Sequence, residues 1–348
     1  MIERVGQIDN AAELREEDRR KVLEIRGDYA GDPAIREAME VAHGNGESPF
    51  GMLQSIFNRH QEKSRTEERL DISDYLVVQF DNSRWKEAEA RSSGMMQIQL
   101  ASRTVVINDD ATKEESVSHG FDLGILSLHC LLHEFGHAAS HSSGEIIEAE
   151  SGAWVHNKAG VSHTLVPARR VIRNEQGERV DQPDSGRKTV VFLEFLNEAI
   201  NDEFAEEITC EFALASGYTS KSKLDDFYKT WRAPRTFHAQ SSRLLRAIVR
   251  RICEETGADE GVARNALKRA AIQGLNLLAP GMDQNAVLDE VVKPGFTGKL
   301  RAIETSKQLR DFIAQYGLEN FFERLINNAK FLVGHYGKVI TDKISPKI

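Results

Sequence analysis

Cysteine is scarce in this chain: Cys130, Cys210 and Cys253 are the three among 348 residues, widely spaced and without a Cys-x-x-Cys pair. That excludes a disulfide framework and a cysteine zinc cluster, and predicts three reduced thiols used for packing. Long apolar runs are also missing. No stretch approaches 18 apolar residues, so no transmembrane helix is expected. The opening Met1-Ile2-Glu3-Arg4-Val5 is polar where a signal peptide would be apolar. Basic excess is absent too: 45 Lys and Arg stand against 54 Asp and Glu, a formal net charge of −9. A nucleic-acid binder would instead show a basic face. The expectation is a cytoplasmic protein with neither a nucleic acid nor a membrane as partner, specialised export as an effector being left open.

What is present belongs to a soluble globular chain, with 40% hydrophobic and 28% charged residues. Its length allows two domains or one large one. Residues 1–70 read as a helical N-terminal region. Asp9 or Asn10 would cap a helix over Ala11–Ile25, while Asp32-Pro33 and Ser48-Pro49 would open two more, with proline at the first helical position. A charged connector at 63–71 precedes three Val-, Ile- and aromatic-rich runs, Tyr75–Phe80, Met95–Leu100 and Thr104–Asn108, that read as strands. The irregular stretch 141–191 reads as an insertion, a hairpin or flap flanked by Arg169–Ile172 and Lys188–Val191. Residues 221–348 are helical in pattern, including Ser241–Glu255, Asp259–Leu278 and Thr305–Tyr316. The class is α+β, mainly α.

The chemistry is concentrated at His133-Glu134-Phe135-Gly136-His137, inside the apolar helical run Ile125–Leu132. Imidazoles four residues apart share one helix face and can grip one zinc ion. The intervening Glu134 lies beside that metal and can take a proton from a bound water. A hydrolytic zinc site needs three protein ligands and an open position. Downstream, Asn197-Glu198-Ala199-Ile200-Asn201-Asp202 supplies a third ligand in Glu198, with Asp202 one turn later on the same face as a partner for the outer N–H of a bound histidine. Glu145, Glu148 and Glu150 compete for the third position. His129 and His141 extend the four-residue spacing but suit a polar lining better than ligation. His238, Tyr228 and Tyr218 are possible oxyanion donors that nothing local separates.

These two motifs resemble those of the gluzincin zinc metallopeptidases, the thermolysin-like and neprilysin-like enzymes, which pair His-Glu-x-x-His on one helix with Asn-Glu-x-x-x-Asp on the next. The resemblance covers two short segments. It implies one Zn2+ held by His133, His137 and Glu198, Glu134 as general base, and Asp202 as outer partner to His133. It also implies a zincin-like core over 71–220, whose small sheet precedes the active helix and pairs along its edge strand with a peptide or protein substrate. The 61 residues from His137 to Glu198 are closer to the neprilysin-like gap. A metzincin would need Gly and His where Ser140 and Ser143 stand.

Three functions follow as expectations. The first is a zinc-dependent peptidase. The second is an intracellular regulatory or effector protease, similar to the ImmA/IrrE-like regulators, cleaving one dedicated protein. The third is a non-catalytic zinc-binding protein, which leaves Glu134 without a role. Oligomeric state is not legible.

Overall fold

The computed structural model describes residues 3–9, 16–43, 49–63, 70–88, 94–140, 142–149, 152–167, 171–173, 179–181, 190–192 and 194–232, then 242–273 with gaps. In chain order the elements are β1 (Glu3–Asp9), α1 (Glu16–Arg26), α2 (Pro33–His43), α3 (Pro49–Lys63), β2 (Leu76–Phe80), α4 (Asn82–Glu87), β3 (Met96–Gln99), β4 (Thr104–Asn108), α5 (Asp109–His119) and α6 (Leu123–Ala139). There follow β5 (Ser142–Ala149), β6 (Gly152–Ala159), β7 (Ser162–Pro167), β8 (Val171–Arg173), β9 (Arg179–Asp181), β10 (Val190–Phe192), α7 (Glu194–Ala215), α8 (Lys221–Trp231) and α9 (Glu260–Ile272). The protein is α+β and mainly helical. No described helix is long and apolar enough to cross a membrane.

The three expected strands form one sheet in the order β2-β4-β3, with β2 parallel and β3 antiparallel to β4. Strand β4 is central and buried along its whole length. Because side chains alternate across a strand, Val105 and Ile107 face the principal core while Val106 faces a smaller cluster with Val22, Phe80 and Trp85 of α1, β2 and α4. The sheet is thus sandwiched. Strand β3 lies at its edge and faces α6.

Helix starts follow local chemistry. Pro33 and Pro49 stand at the first positions of α2 and α3 as expected. Asn108 caps α5, and Gly120, with φ +69°, closes it in the left-handed region. Two residues on, Asp122 accepts from Ile125 N–H and opens α6.

Helix α6 is the axis of the principal core, which also takes in α2, α3, α7 and α8. Phe135 turns from the histidine face into that core, edge-on to Phe57 at 6.5 Å and Tyr75 at 5.9 Å. Full burial of such a ring is worth about 1.5–3 kcal/mol. Gly136 sits where α7 crosses closest: a Cβ there would meet Asn201 Oδ1 at 3.2 Å. Of the two variable residues of the motif, Phe135 anchors α6 in the core and Gly136 admits α7.

Two expectations need correction. The N-terminal region is not wholly helical. Asp9 ends strand β1; α1 is described from Glu16 to Arg26, and residues 10–15, with the expected helix start, lie outside those described. Strand β1 pairs antiparallel with β5, from Glu3 opposite Glu148 to Asp9 opposite Ser143. Its partner is far along the chain, so no local pattern announces it. The insertion is a sheet rather than a single hairpin: β1-β5-β6-β7-β10, antiparallel throughout. Its flanks do not pair with each other; β8 pairs with β9, and β10 with β7. Packing continues past residue 220. Phe227 and Trp231 of α8 share the principal core, while Ala263, Leu267 and Ala270 of α9 pack with Ile200 of α7. The expected helix at Ser241–Glu255 is helical where described; Thr305–Tyr316 and everything beyond Gln273 lie outside the described residues.

Candidate metal centre

Helices α6 and α7 pack against each other and bring together residues far apart in sequence. His133 and Glu198 are 65 positions apart, yet His133 Nε2 lies 3.1 Å from Glu198 Oε2. His137 Nε2 is 3.1 Å from His133 Nε2 and 3.5 Å from Glu198 Oε1. All candidate ligand atoms lie within 4.8 Å of one another.

This donor set can be tested against a metal. Ligands about 2.0–2.1 Å from a tetrahedral zinc are separated by about 3.3 Å along each edge. The two imidazole nitrogens stand 3.1 Å apart, and each meets a different Glu198 oxygen, His133 at 3.1 Å and His137 at 3.5 Å, contacts close to that value; with one atom taken per residue the donors lie within 4.8 Å of one another. Two imidazole nitrogens and a carboxylate also match zinc's preference for nitrogen and oxygen donors. The residues fit. Among the described residues this is the one group of three or more His, Cys, Asp and Glu side chains arranged to hold a metal ion.

Electrostatics reflect the proximity. Burial alone would lower the His133 pKa, but hydrogen bonding to Asp202 and Glu198 outweighs it and holds it well above the ordinary histidine value. Burial would raise Glu198, yet the charges and hydrogen bonds of His137 and His133 keep its carboxyl well below the usual range. As it stands, the proton on His133 offsets the Glu198 charge, and a divalent cation taking these groups as ligands would displace that proton.

Glu134 does not join the triangle. Its Oε2 accepts from Ile98 N–H of edge strand β3 at 2.9 Å, so the carboxylate is tied to the sheet rather than to α7. Asp202 is buried and lies 3.7 Å from His133 Nδ1. Its shorter contact is with His129 Nε2 at 3.0 Å, and Trp231 Nε1 donates to its other oxygen at 3.1 Å. The hydrogen bond of Asp202 thus goes to a third histidine, His129, while His133 Nδ1 stands beyond hydrogen-bond distance of the same oxygen.

Asn201, quoted in the motif but given no role, occupies the corresponding position at the second imidazole. Its Nδ2 donates to His137 Nδ1 at 2.8 Å, and its Oδ1 accepts from Ser140 Oγ at 3.3 Å. A His137 whose Nε2 lone pair serves a metal carries its proton at Nδ1, and a half-turn of the Asn201 amide then presents oxygen to it. The signal was available: Asn201 is three residues after Glu198, on the face that meets α6. Asn197 points elsewhere, accepting from Val161 N–H at 3.2 Å.

Other candidates settle differently. His129 is buried and lines the outer layer. Tyr228 is buried with its hydroxyl 3.1 Å from His129 Nδ1. Burial pushes the Tyr218 phenol up to about 12. Glu145 and Glu148 lie on β5; His141, Glu150 and His238 lie outside the described residues. The three cysteines are free, and burial raises the Cys130 thiol well above its usual value, as a packing role requires.

The chain matches no protein-family model, no curated protein and no solved structure.

Proposed function

We propose that this chain is a zinc-dependent peptidase that hydrolyses peptide bonds in peptide or protein substrates, with a zincin-like core made by the β2-β4-β3 sheet and helices α6 and α7. The observation that carries the proposal is the convergence of His133, His137 and Glu198, with contacts of 3.1, 3.1 and 3.5 Å in which each imidazole meets its own Glu198 oxygen, and a second acid, Glu134, beside the cluster but outside it. His133, His137 and Glu198 would hold one Zn2+, which when bound supplies a water of pKa about 7 and polarises the scissile carbonyl.

The protein's own groups account for the rest. Glu134 takes the proton from the attacking water and passes it to the departing amine, work worth about 10²–10⁴-fold in rate. Its bond to Ile98 N–H orients the carboxylate through one oxygen. Asp202 and Asn201 steady the two imidazoles from behind. Strand β3 is an edge strand beside Glu134, so an extended substrate adding along it would run past the base, taking its main-chain hydrogen bonds from edge groups other than the Ile98 N–H that Glu134 holds.

The test is metal stoichiometry alongside cleavage of a mixed peptide library. Glu134→Gln should retain one zinc and lose about 10²–10⁴-fold of the cleavage rate. Unchanged hydrolysis would reject Glu134 as base. A wild-type protein that carries zinc and cuts one natural protein but not the library would point to the dedicated-partner class.

A further inference from the structure

Asp202 is a buried carboxylate, its side chain 4% exposed, and its two oxygens are engaged from two directions. Oδ1 accepts from His129 Nε2 at 3.0 Å on α6, and Oδ2 accepts from Trp231 Nε1 at 3.1 Å on α8. The same Oδ1 lies 3.7 Å from His133 Nδ1. Behind His129, the Tyr228 hydroxyl lies 3.1 Å from Nδ1. Burial holds the Tyr228 phenol well above its ordinary pKa, so it keeps its proton and donates. That bond selects the His129 tautomer protonated at Nε2, the one a carboxylate needs. The His129 ring also stands edge-on to Trp231, centroids 4.7 Å apart at 70°.

We infer that α8 sets the metal affinity of this site from outside it: Trp231 and His129, with Tyr228 behind, are positioning residues that hold the Asp202 carboxylate in reach of His133. The inference rests on the proposed metal centre and adds a second layer to it. A carboxylate behind a metal-bound imidazole raises ligand basicity and fixes the ring. An aspartate side chain has two free torsions, and a single contact to His133 would leave it able to turn away. Donors on two further side chains remove that freedom. Pinning Oδ2 to the indole leaves Oδ1 directed between His129 and His133. Without the indole N–H, the carboxylate can swing toward His129, and His133 loses its partner while every ligand remains in place.

The experiment uses the full chain, a zinc titration against a chromophoric chelator, and cobalt substitution. Trp231→Phe keeps an aromatic ring in the core and removes the donor. Its zinc Kd should rise about tenfold, the lower end of what loss of an outer partner costs, and the cobalt absorption bands should shift. The melting temperature of the zinc-free protein should change little. Tyr228→Phe, a milder change that keeps the test open if Trp231→Phe does not fold, should weaken zinc by about threefold, less because it acts one contact further out. In an Asp202→Asn background Trp231→Phe should cost nothing more, because it acts through that carboxylate. Wild-type zinc affinity in both single variants overturns the inference, as does a full tenfold loss persisting in the Asp202→Asn background. Failure of the parent reading looks different: the wild-type chain binds no zinc, or Glu198→Ala binds it undiminished.

Discussion

The two halves of α7 employ carboxylates in opposite ways. Toward its N-terminus, Glu198 and Asp202 meet the imidazoles of His133, His137 and His129. Further along, Glu203 and Glu207 meet Lys268, Glu203 also meets Arg264, Glu206 meets Arg232, and Glu211 meets Arg59 and His60. Arginine and lysine keep their charge, so their pairs are complete as they stand, and the one imidazole of this set, His60, is spread between two carboxylates, Glu207 and Glu211, where the first set gathers two imidazoles on one. Imidazole can give up its proton and offer a lone pair, so the first set can accept a divalent cation. Burial does not separate them: the Glu198 side chain is 28% exposed, between 17% for Glu203 and 41% for Glu207. Acid content along a helix therefore says little about function until the partner across the interface is known.

The sharpest way to break this comparison is Glu198→Ala. It should cost more zinc affinity than the roughly 100-fold that loss of an outer partner can cost, and peptide cleavage should vanish with the metal. A titration showing wild-type affinity would move Glu198 into the ion-pair class.

Lys268→Met probes the other half. Lys268 is 4% exposed and reaches Glu207 at 2.6 Å and Glu203 at 3.3 Å. Breaking a fully buried pair costs about 3–5 kcal/mol. With Glu207 partly in water, about 1–3 kcal/mol is expected in urea unfolding, at unchanged zinc stoichiometry. If metal content fell with stability, the halves would not be independent.

The smallest expected effect is on acid stability. Burial would raise the Glu207 carboxyl, but the His60 hydrogen bond and the Lys268 charge bring it down to about 2 from an ordinary 4.5. Between those values the unfolded chain holds the extra proton and the folded chain does not. This contribution is therefore complete above about pH 4.5 and is lost as pH falls toward about 2. Melting temperatures across that window should show a shallower fall in Lys268→Met than in the wild type. Identical slopes would mean that Lys268 does not hold Glu207 down.

Much of the site could be read before the fold. The spacing of His133 and His137 on an apolar helix, with Glu134 between them, is a local property of one helix, and helical periodicity is readable from sequence. The strands β2, β3 and β4 were legible for a similar reason, since their Val- and Ile-rich runs are bounded by polar turns. The choice of Glu198 among several nearby acids drew on the resemblance of its motif, and the geometry brings that residue to the imidazoles. Less visible were Asn201 behind His137 and Trp231 behind Asp202. Neither belongs to a spacing rule that names its partner. Trp231 reads as one apolar residue of an amphipathic helix, and nothing in Lys221–Trp231 says that its indole N–H meets a carboxylate 29 positions earlier. Strand β1 was missed because a strand's hydrogen bonds are made with another segment, here β5.

Amino-acid order alone determined the chemistry on offer: two imidazoles on one helical face, an acid between them, and a second acidic helix later in the chain. Those features depend on neighbours within one turn, where backbone geometry is already set by helix formation. Tertiary structure decided which acid faces those imidazoles, and that Asp202 divides its oxygens between His129, His133 and Trp231. That division depends on how three helices pack around a glycine and a buried aromatic cluster. Close packing is a property of the assembled core, and no single segment carries it.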